Sequence, residues 1–508
     1  MDPGLPVASE TKAALKVDKN GLPLIPQPTD SPLDPLNYPN WLRYTILAEI
    51  SLLGFILGLC GATLADPVID QLSQEFNVPL NLATYQSSAL FVVGSFIALV
   101  VVPTANAYGH RLVLLSCTAL AVVFLVVAAN STSFGMLIAL RGLTSFSLLG
   151  VVVIPNLFFV HERGRAMGFF TLVALNGVHL APMIGGDVAF RLGWRWTLWI
   201  GAILTGTMLV IMIFLLPDTL FRRPGQDLTL GAFLEHDMST KHTRKPHQPP
   251  PMQLSTYLRC LRLVDQERRP SNGVRVLSIL TQPFKMFRYP SVIIPVVYYS
   301  VITSFASLGP LVVGPVQYTK NYHFGALQDR LAMGPSLVIG SVIGELASGP
   351  LTDFLVERAR KRALEGGKPA QPEIRLQGIY PAAIIVPMGL DLLLSDGFTV
   401  HYMGSFTAPC IAIGDFNIVQ IATSVCLTYV CCDCYPAYSG GLGQSFSFIK
   451  SLFTLALTFY EVPVGQRIGY HWAFTVYAAI CTLLLLPVAA LMFKGAQWRE
   501  KADTLGSS

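Results

Sequence analysis

Twelve long apolar stretches, six on each side of a basic polar segment over 218–287, constrain most strongly how this chain can fold. A stretch of roughly twenty apolar residues crosses a bilayer as an α-helix, because lipid offers backbone N–H and C=O groups no other partner. Only 13% of the 508 residues are charged, against about 25% in soluble chains. The sequence therefore predicts an all-α protein that spans the lipid bilayer.

The predicted spans fall into two sets of six, separated mostly by short polar breaks. They lie at about 42–64, 82–105, 110–129, 134–158, 164–188 and 194–217, and at about 288–315, 325–348, 374–394, 402–430, 441–463 and 471–494. The predicted domains are an N-terminal tail (1–41), a six-helix half (42–217), a central loop (218–287), a second half (288–495) and a C-terminal tail (496–508). Two such halves are typical of proteins that move a solute through the seam between them.

Basic residues predict the orientation of the chain. Most of the 35 Lys and Arg residues fall in the two tails, the central loop and the loops on the same side as these. Such loops face the cytoplasm, so we expect both termini there and the plasma membrane as the location. No cleavable signal peptide is visible in 1–41, and the first span is expected to direct insertion. The central loop is predicted to be a solvated linker, partly helical near 251–264.

Several classes of function do not fit this pattern. No folded soluble region remains to bind nucleic acid, and the nine cysteines form neither a disulfide framework nor a metal-ligand quartet. The phosphate-binding loop G-x-x-x-x-G-K-[ST] is missing from the sequence, which argues against direct coupling to ATP. We therefore expect no enzyme activity, no cofactor and no metal.

The predicted fifth span carries an unusual run of small residues. Residues 176–186 read Asn-Gly-Val-His-Leu-Ala-Pro-Met-Ile-Gly-Gly. In lipid, small residues let neighbouring helices approach closely and Pro bends the helix, so one interpretation is a close-packed kink. The run also resembles the antiporter signature of the major facilitator superfamily, with Ala181 in place of a glycine. The matching residues are Gly177, Pro182, Gly185 and Gly186. The resemblance implies a helix that limits leakage during exchange.

Other segments resemble the same family, and in particular its fungal drug:proton antiporters. The loop after the second span has Asn106 where the family has an acid and Ala107 where it has a base. The segment before the first span and the start of the sixth match this branch as well, at 34–41 and 193–196. The resemblance implies the major facilitator fold, with twelve transmembrane helices in two six-helix halves.

The equivalent loop after the eighth span keeps its acid at Asp353, followed by a basic run that begins at Arg358. In the family, this acid pairs with a base on the other half in one transport state only. Glu345, about one turn before the end of the eighth span, belongs to the same region. The resemblance thus implies a cytoplasmic gate made of Asp353, Arg358 and Glu345.

Charges inside the spans are candidates for function, because a charge in lipid costs several kcal/mol unless it faces protein or water. Arg141 matches the buried arginine of the family's fourth helix, which is associated with proton coupling; alternatively it is a structural residue bonded to carbonyls at a helix end. Glu49 faces either the cavity or the headgroups. Asp415 and Lys450 could pair as a structural clamp or contact the substrate, and Asp415 could carry a proton.

Polar and aromatic residues near the middle of the spans are candidates for lining the cavity, where they would orient a mostly apolar ligand. These are Tyr85, Gln86, Asn176, His179, Tyr298 and Tyr299. His179 is a lone histidine on an apolar helix, for which a structural hydrogen bond is the ordinary role.

Two functions follow from these features. The first is proton-coupled export of a small organic compound such as a toxin, drug or secondary metabolite. The second is proton-coupled uptake of a polyamine, organic acid or nucleobase-like solute. A sensor that signals through the central loop is a third class, without the long tails that such receptors carry. The expected partners are a small-molecule substrate, protons and the bilayer, and we expect a monomer.

Overall fold

The computed structural model describes residues 15–17, 24, 26–62, 68–144, 150–221, 244–246, 252–262, 284–305, 334–344, 346, 350–351, 354–355, 357–358, 372–380, 425–426, 429–434 and 439–506. Long α-helices dominate this part of the chain, as the apolar stretches predict. A short parallel sheet joins the N-terminal tail to the central loop, with Leu15 opposite Arg244 and Val17 opposite Pro246.

The elements follow one another along the chain. The first part contains β1 (Leu15–Val17), a 3-10 turn at Pro35–Asn37, α1 (Asn40–Ala62), α2 (Ile69–Phe76), α3 (Leu80–Tyr108), α4 (His110–Ala129), α5 (Phe134–Leu143), α6 (Gly150–Leu157), α7 (Val160–Leu192) and α8 (Trp194–Leu215). The second part contains β2 (Arg244–Pro246), α9 (Leu254–Cys260), α10 (Pro290–Thr303), α11 (Gly334–Gly344), a 3-10 segment at Pro372–Ile379, a π-helical segment at Tyr429–Cys434, α12 (Ser439–Ile468), α13 (Tyr470–Leu483) and α14 (Leu485–Gly506).

Six helices of the described part are long and apolar enough to cross a membrane. They are Asn40–Gly61, His110–Ala129, Glu162–Leu192, Trp194–Leu215, Ser445–Ile468 and Trp472–Trp498. Shorter apolar helices lie at Val92–Tyr108, Phe134–Leu143, Pro290–Thr303 and Gly334–Gly344. The last three lie within predicted spans, and the first extends three residues past the span predicted at 82–105. Most of the predicted spans 374–394 and 402–430 lies outside the described residues, so the count of twelve stays a prediction.

Contacts at the helix ends define two sides of the bundle. We call the side where α1 begins the tail side, and the side where α1 ends the far side. On the tail side Arg43 near the start of α1 pairs with Glu162 at the start of α7 (3.0 Å). Tyr38, just before α1, donates to the carbonyl oxygen of Asp218, just after α8 (3.1 Å). α1 and α7 therefore both begin on the tail side and run parallel, whereas α8 ends there and runs antiparallel to α1.

In the described part, α12 of the second half packs against α3 and α6 of the first, and α11 packs against α7. The ring of Phe448 in the first part of α12 contacts Phe96 of α3 edge-on, with 5.6 Å between the centroids, and Phe284 before α10 at 6.0 Å. Gly334 at the start of α11 lies against the side chain of Met183 in α7. Since Phe96 lies past the middle of α3 and Met183 lies late in α7, α12 runs from the tail side to the far side and α11 begins on the far side.

Single glycines make the turns between α7 and α8 and between α12 and α13. Gly193 has a φ of 91° and Gly469 a φ of 86°, a region that residues with a Cβ atom rarely adopt. These two glycines reverse the chain on the far side in both parts of the molecule. Their matching positions, after the predicted fifth and eleventh spans, fit a protein built from two related halves.

The closest helix contact in the first half joins α1 and α7 and depends on two glycines. A Cβ atom on Gly177 would collide with the carbonyl oxygen of Phe55, and one on Gly58 would lie 3.0 Å from the carbonyl oxygen of Ala174. The two backbones can touch only because both side chains are missing at this crossing. The small residues that the sequence analysis singles out in the fifth span thus serve close packing on α1.

The tail and the central loop pack more tightly than the sequence predicts. Asp34, Asn37 and Tyr38 are buried, and the Tyr38 hydroxyl also lies 3.4 Å from Cys260 Sγ of α9. The predicted helix near 251–264 is present as α9, but Cys260 is buried and Tyr257 Oη donates to the carbonyl oxygen of Phe214. The prediction of a solvated linker is therefore wrong for Tyr257 and Cys260, which contact the end of α8 and Tyr38 before α1, whereas Leu254 and Leu258 of α9 are exposed.

Two helix boundaries also differ from the prediction. The helix predicted at 441–463 continues as α12 to Ile468. The one predicted at 471–494 is interrupted at Leu484 and continues as α14 through Gly506, beyond the start of the predicted tail. Polar residues after an apolar run do not end a helix by themselves, since a helix can continue from lipid into water.

The contact between α1 and α7 predicts a specific loss of stability. Gly177→Ala should lower the midpoint of thermal unfolding of the purified protein, because overpacking costs about 1–3 kcal/mol. Gly135→Ala is the matched control, since a Cβ atom on Gly135 meets nothing within 4 Å. Equal midpoints for the two variants in detergent would contradict the close contact.

The far side carries a short helix, α2, that the sequence analysis places in a loop. Glu75 near its end accepts hydrogen bonds from Trp194 Nε1 (2.5 Å) and Arg195 Nη1 (2.5 Å) at the start of α8. Partial burial alone would raise the pKa of the Glu75 carboxyl, but these two donors outweigh it and hold the pKa below its ordinary value.

This pairing predicts a pH dependence of stability. A carboxyl whose pKa is lowered on folding stabilises the fold above its ordinary pKa of 4.5 and loses this contribution as the pH falls through the lowered value. Glu75→Gln should therefore reduce the free energy of unfolding at pH 7 by up to about 1 kcal/mol, the range for a half-exposed ion pair, and so lower the midpoint of thermal unfolding. The difference should shrink toward pH 4; a constant difference across this range would contradict the assignment.

Candidate functional site

Arg141 is buried on α5 and bonds to the end of α1. It is 1% exposed, and its Nη2 donates to the carbonyl oxygen of Gly61 at 2.5 Å. Its Nε and Nη1 have no hydrogen-bond partner among the described residues. The neighbouring Gly142 brings α5 close to α3, since a Cβ atom there would lie 2.9 Å from Val93 Cγ2. The bond to the carbonyl group at the end of α1 fits a structural role for Arg141. The two nitrogens without partners among the described residues fit a role in proton coupling.

Glu49 is buried on α1 nearer to the tail side. It is 5% exposed, and neither carboxylate oxygen has a hydrogen-bond partner in the described part of the chain. Arg111 of α4 acts on it electrostatically, while Arg111 itself donates to carbonyl oxygens of Ile213 (2.6 Å) and Leu216. The burial of the Glu49 side chain favours a position inside the bundle over one at the lipid headgroups.

Glu49 and Arg141 form two separate sites. Glu49 and Gly61, which binds Arg141, lie twelve positions apart on α1, which corresponds to about 18 Å along a helix. The structure therefore places a buried acid toward the tail side and a buried base toward the far side of the same half.

Asn176 and His179 lie on α7 at the level of the contact with the second half. Asn176 Nδ2 donates to the carbonyl oxygen of Leu172 within α7 (2.7 Å), and Asn176 Oδ1 accepts from Ser341 Oγ of α11 (3.0 Å). The second bond crosses between the predicted halves. His179 is 5% exposed, and its Nδ1 has no hydrogen-bond partner among the described residues.

The candidates of the second half lie on α10 and α12. Tyr298 is buried among apolar core residues, and the ring of its neighbour Tyr299 meets Phe446 of α12 edge-on, with 5.1 Å between the centroids. Lys450 is half-buried on α12, one turn after Phe446. Tyr299 and Phe446 therefore connect the two helices next to Lys450.

Some predicted site residues are not covered by the structure. Glu345, Asp353 and Asp415 lie outside the described residues, as do the side chains of Tyr85 and Gln86 on α3 and of Pro182 on α7. Arg358 is exposed, whereas Gly185 and Gly186 are buried on the far-side part of α7. The predicted gate and the predicted pair of Asp415 with Lys450 thus stay predictions.

Asn106, in the last turn of α3, stands where the family has an acid, and a carboxylate from the end of α8 lies close to this position. Asn106 Oδ1 lies 3.3 Å from His110 Nε2, and His110 Nδ1 lies 2.7 Å from Thr219 Oγ1. The buried carboxylate of Asp218, just after α8, accepts from the backbone nitrogens of His110 (3.0 Å) and Arg111 (3.4 Å). A carboxylate at the start of a helix satisfies free N–H groups and favours the dipole. Asp218 thus supplies this negative charge from within the same half.

Glu461, Glu75 and Asp218 are not among the site residues predicted from the sequence. Glu461 lies inside the predicted span 441–463, and an acidic residue within a membrane span is a signal that could have identified it. Glu75 and Asp218 have no such signal, because each acts through residues distant in the sequence. Among the described residues, no group of three or more His, Cys, Asp or Glu side chains could hold a metal ion.

Several fungal transporters are similar in sequence to this chain. The chain is similar to the efflux pump radE of Floropilus chiversii, with 25% identity over 93% of this chain and 84% of that protein. It is similar to the MFS-type transporter penM of Penicillium rubens, with 25% identity over 87% of this chain and 82% of that protein. The MFS-type transporter tndD of Aspergillus flavipes is also 25% identical, over 93% and 85%.

A solved structure and a family model give the fold. The crystal structure of the human organic anion transporter TETRAN matches with a TM-score of 0.54 and 17% identity, over 89% of this chain and 100% of that one. At this identity the likeness shows the fold alone. The model of the Major Facilitator Superfamily matches residues 51–459. The chain is an integral, multi-pass membrane transporter and not an enzyme, and it belongs to the major facilitator superfamily.

Proposed function

We propose that the protein exports a small organic compound, such as a toxin, drug or secondary metabolite, in exchange for protons. It would work as a monomer of twelve helices in the plasma membrane, with the tail side in the cytoplasm. The name of one similar protein, efflux pump radE, supports export at a general level. The distribution of Lys and Arg supports the orientation.

The observation that carries the proposal is Arg141, whose guanidinium has two nitrogens without partners in the apolar part of the bundle among the described residues. A buried charged group whose N–H donors lack acceptors raises the free energy of the protein. The Arg141 guanidinium therefore favours any transport state in which an acceptor or water reaches it. We infer that Arg141 stabilises the ionised form of a carboxyl, or an acceptor on the substrate, in one of the two transport states.

Glu49 is the described acid best placed to take part from the tail side. Burial favours its neutral form, while Arg111 favours the ionised form. If water or Arg111 comes closer to Glu49 in one transport state, Glu49 would release a proton. If both move away in the other state, Glu49 would bind one. Protons would enter from the far side near Arg141 and leave toward the tail side near Glu49.

The packing of α7 supports exchange over leakage. The contact of Gly177 with α1 is too tight for water to pass, and the bond between Asn176 and Ser341 joins the two halves near the middle of the bundle. We infer that this bond breaks when one half rocks against the other, while the contact between α1 and α7 stays intact within its half.

The direction of transport can be tested in vesicles with a pH-sensitive dye inside. Purified protein is reconstituted, and apolar cations, neutral apolar compounds and organic acids are added in turn with an acidic interior. Exchange predicts that at least one compound accumulates inside while the interior becomes more alkaline, and that a protonophore abolishes both. Accumulation of a polyamine or nucleobase from an acidic exterior would instead support uptake and contradict export.

Removal of the buried charge should uncouple transport. Arg141→Ala should lower proton-driven flux by about 10- to 100-fold, since a charged hydrogen bond contributes about 1.5–3 kcal/mol. Arg141→Lys should retain part of the flux, because it keeps the charge but not the fork of donors. Arg191→Ala, in an exposed pair with Asp187, is the control. Wild-type flux in folded Arg141→Ala would overturn the role of this residue.

A further inference from the structure

Glu461 is a buried acid that the proposed mechanism does not use. It lies on α12, seven residues before the helix ends at Ile468, which corresponds to about 10 Å from the far side. It is 1% exposed, and both of its carboxylate oxygens lack a hydrogen-bond partner among the described residues. An ionised carboxyl without a partner in this position costs free energy. The groups that surround Glu461 therefore decide whether it is ionised.

Two tyrosines on the neighbouring helix α13 face the same region. The hydroxyl oxygens of Tyr470 and Tyr477 are buried and likewise have no hydrogen-bond partner in the described part of the chain. Both phenols interact electrostatically with Glu461, as does Tyr460 on α12 itself. Each phenol therefore lies within electrostatic reach of Glu461, and none of the three groups has a hydrogen-bond partner among the described residues.

The fold holds these groups in place through specific packing. Gly465, one turn after Glu461, allows the ring of Tyr470 to lie directly on α12, since a Cβ atom there would collide with the ring. The ring of Tyr477 is stacked on Phe305, just after α10, with 4.4 Å between the centroids and 9° between the planes. Phe474 meets Tyr477 edge-on at 5.8 Å. These contacts position the tyrosine rings beside α12 in the state seen here, in which their hydroxyls are unpaired among the described residues.

No described basic side chain balances the charge of Glu461. The titratable groups that act on it from α12 and α13 are the phenols of Tyr460, Tyr470 and Tyr477. Arg467, on the same helix, is exposed. A permanent ion pair with a described residue is therefore not what keeps this acid in the bundle.

We propose that Glu461 is a second proton-binding carboxyl, located in the second half near the far side, and that Tyr470 and Tyr477 are its positioning residues. In the loaded state a proton is bound to one carboxylate oxygen. On release the O–H bond breaks, the proton passes to water, and the two phenol hydroxyls donate to the carboxylate. The site rests on the proposed function in one respect, since a proton-coupled carrier would use it.

The proposal can be tested without a substrate, by infrared difference spectroscopy of the purified full-length protein over a range of pH. A protonated carboxyl has a carbonyl stretch that shifts in heavy water and disappears on ionisation. We expect such a band at neutral pH in the wild type and its loss in Glu461→Gln. Asp187→Asn, which removes an exposed carboxyl, is the matched control and should leave the band unchanged.

Further variants test the two tyrosines and guard against misfolding. Glu461→Asp keeps a carboxyl and should retain the band at a shifted frequency. Tyr470→Phe with Tyr477→Phe should move the loss of the band to higher pH, because the ionised form loses its donors. An unchanged band in folded Glu461→Gln would overturn the proton site, and an unchanged midpoint in the tyrosine variant would overturn the positioning role. Because no transport is measured, failure of proton-driven export would overturn only the proposed function.

Discussion

The close crossing of α1 and α7 is the contact on which the rest of the first half depends. Gly177 lets the two backbones touch at Phe55, and Gly58 does the same at Ala174. α1 carries Glu49 and the carbonyl group that holds Arg141, while α7 carries Asn176, which reaches the second half. A looser crossing would move all of these groups at once, so this contact fixes the geometry of the proposed proton path.

Apolar length made the helices predictable, because lipid leaves a spanning segment no other way to pair its backbone. The helices predicted at 42–64, 110–129 and 194–217 lie at Asn40–Ala62, His110–Ala129 and Trp194–Leu215. The burial of Arg141 could be predicted for the same reason. The interruption at Leu484 has a local cause that the span prediction did not use: Pro487 cannot donate a backbone hydrogen bond to Leu483, where α13 ends.

Contacts between distant segments were less accessible from the sequence. The hydrogen bonds of Tyr38 with Asp218, of Glu75 with Trp194 and of Asn176 with Ser341 join residues that are more than one hundred positions apart. Nothing local marks these partners, whose pairing depends on how the helices cross. Asp218 illustrates the point best, because it provides a carboxylate beside the loop in which Asn106 stands at the position of the family's acid.

Buried acids at different depths suggest that each half binds a proton at a different level of the bundle. In the proposals, Glu49 serves the tail side of the first half and Glu461 the far side of the second, and the buried Arg141 lies near the far side of the first half. The central claim is that protonation shifts the balance between two arrangements of the halves. Spin labels on unnatural amino acids at 191 and 467, two exposed far-side positions, would report this directly through their distance distribution. The account predicts that acidification redistributes the population between two distances; one unchanged distribution from acidic to alkaline pH would contradict it.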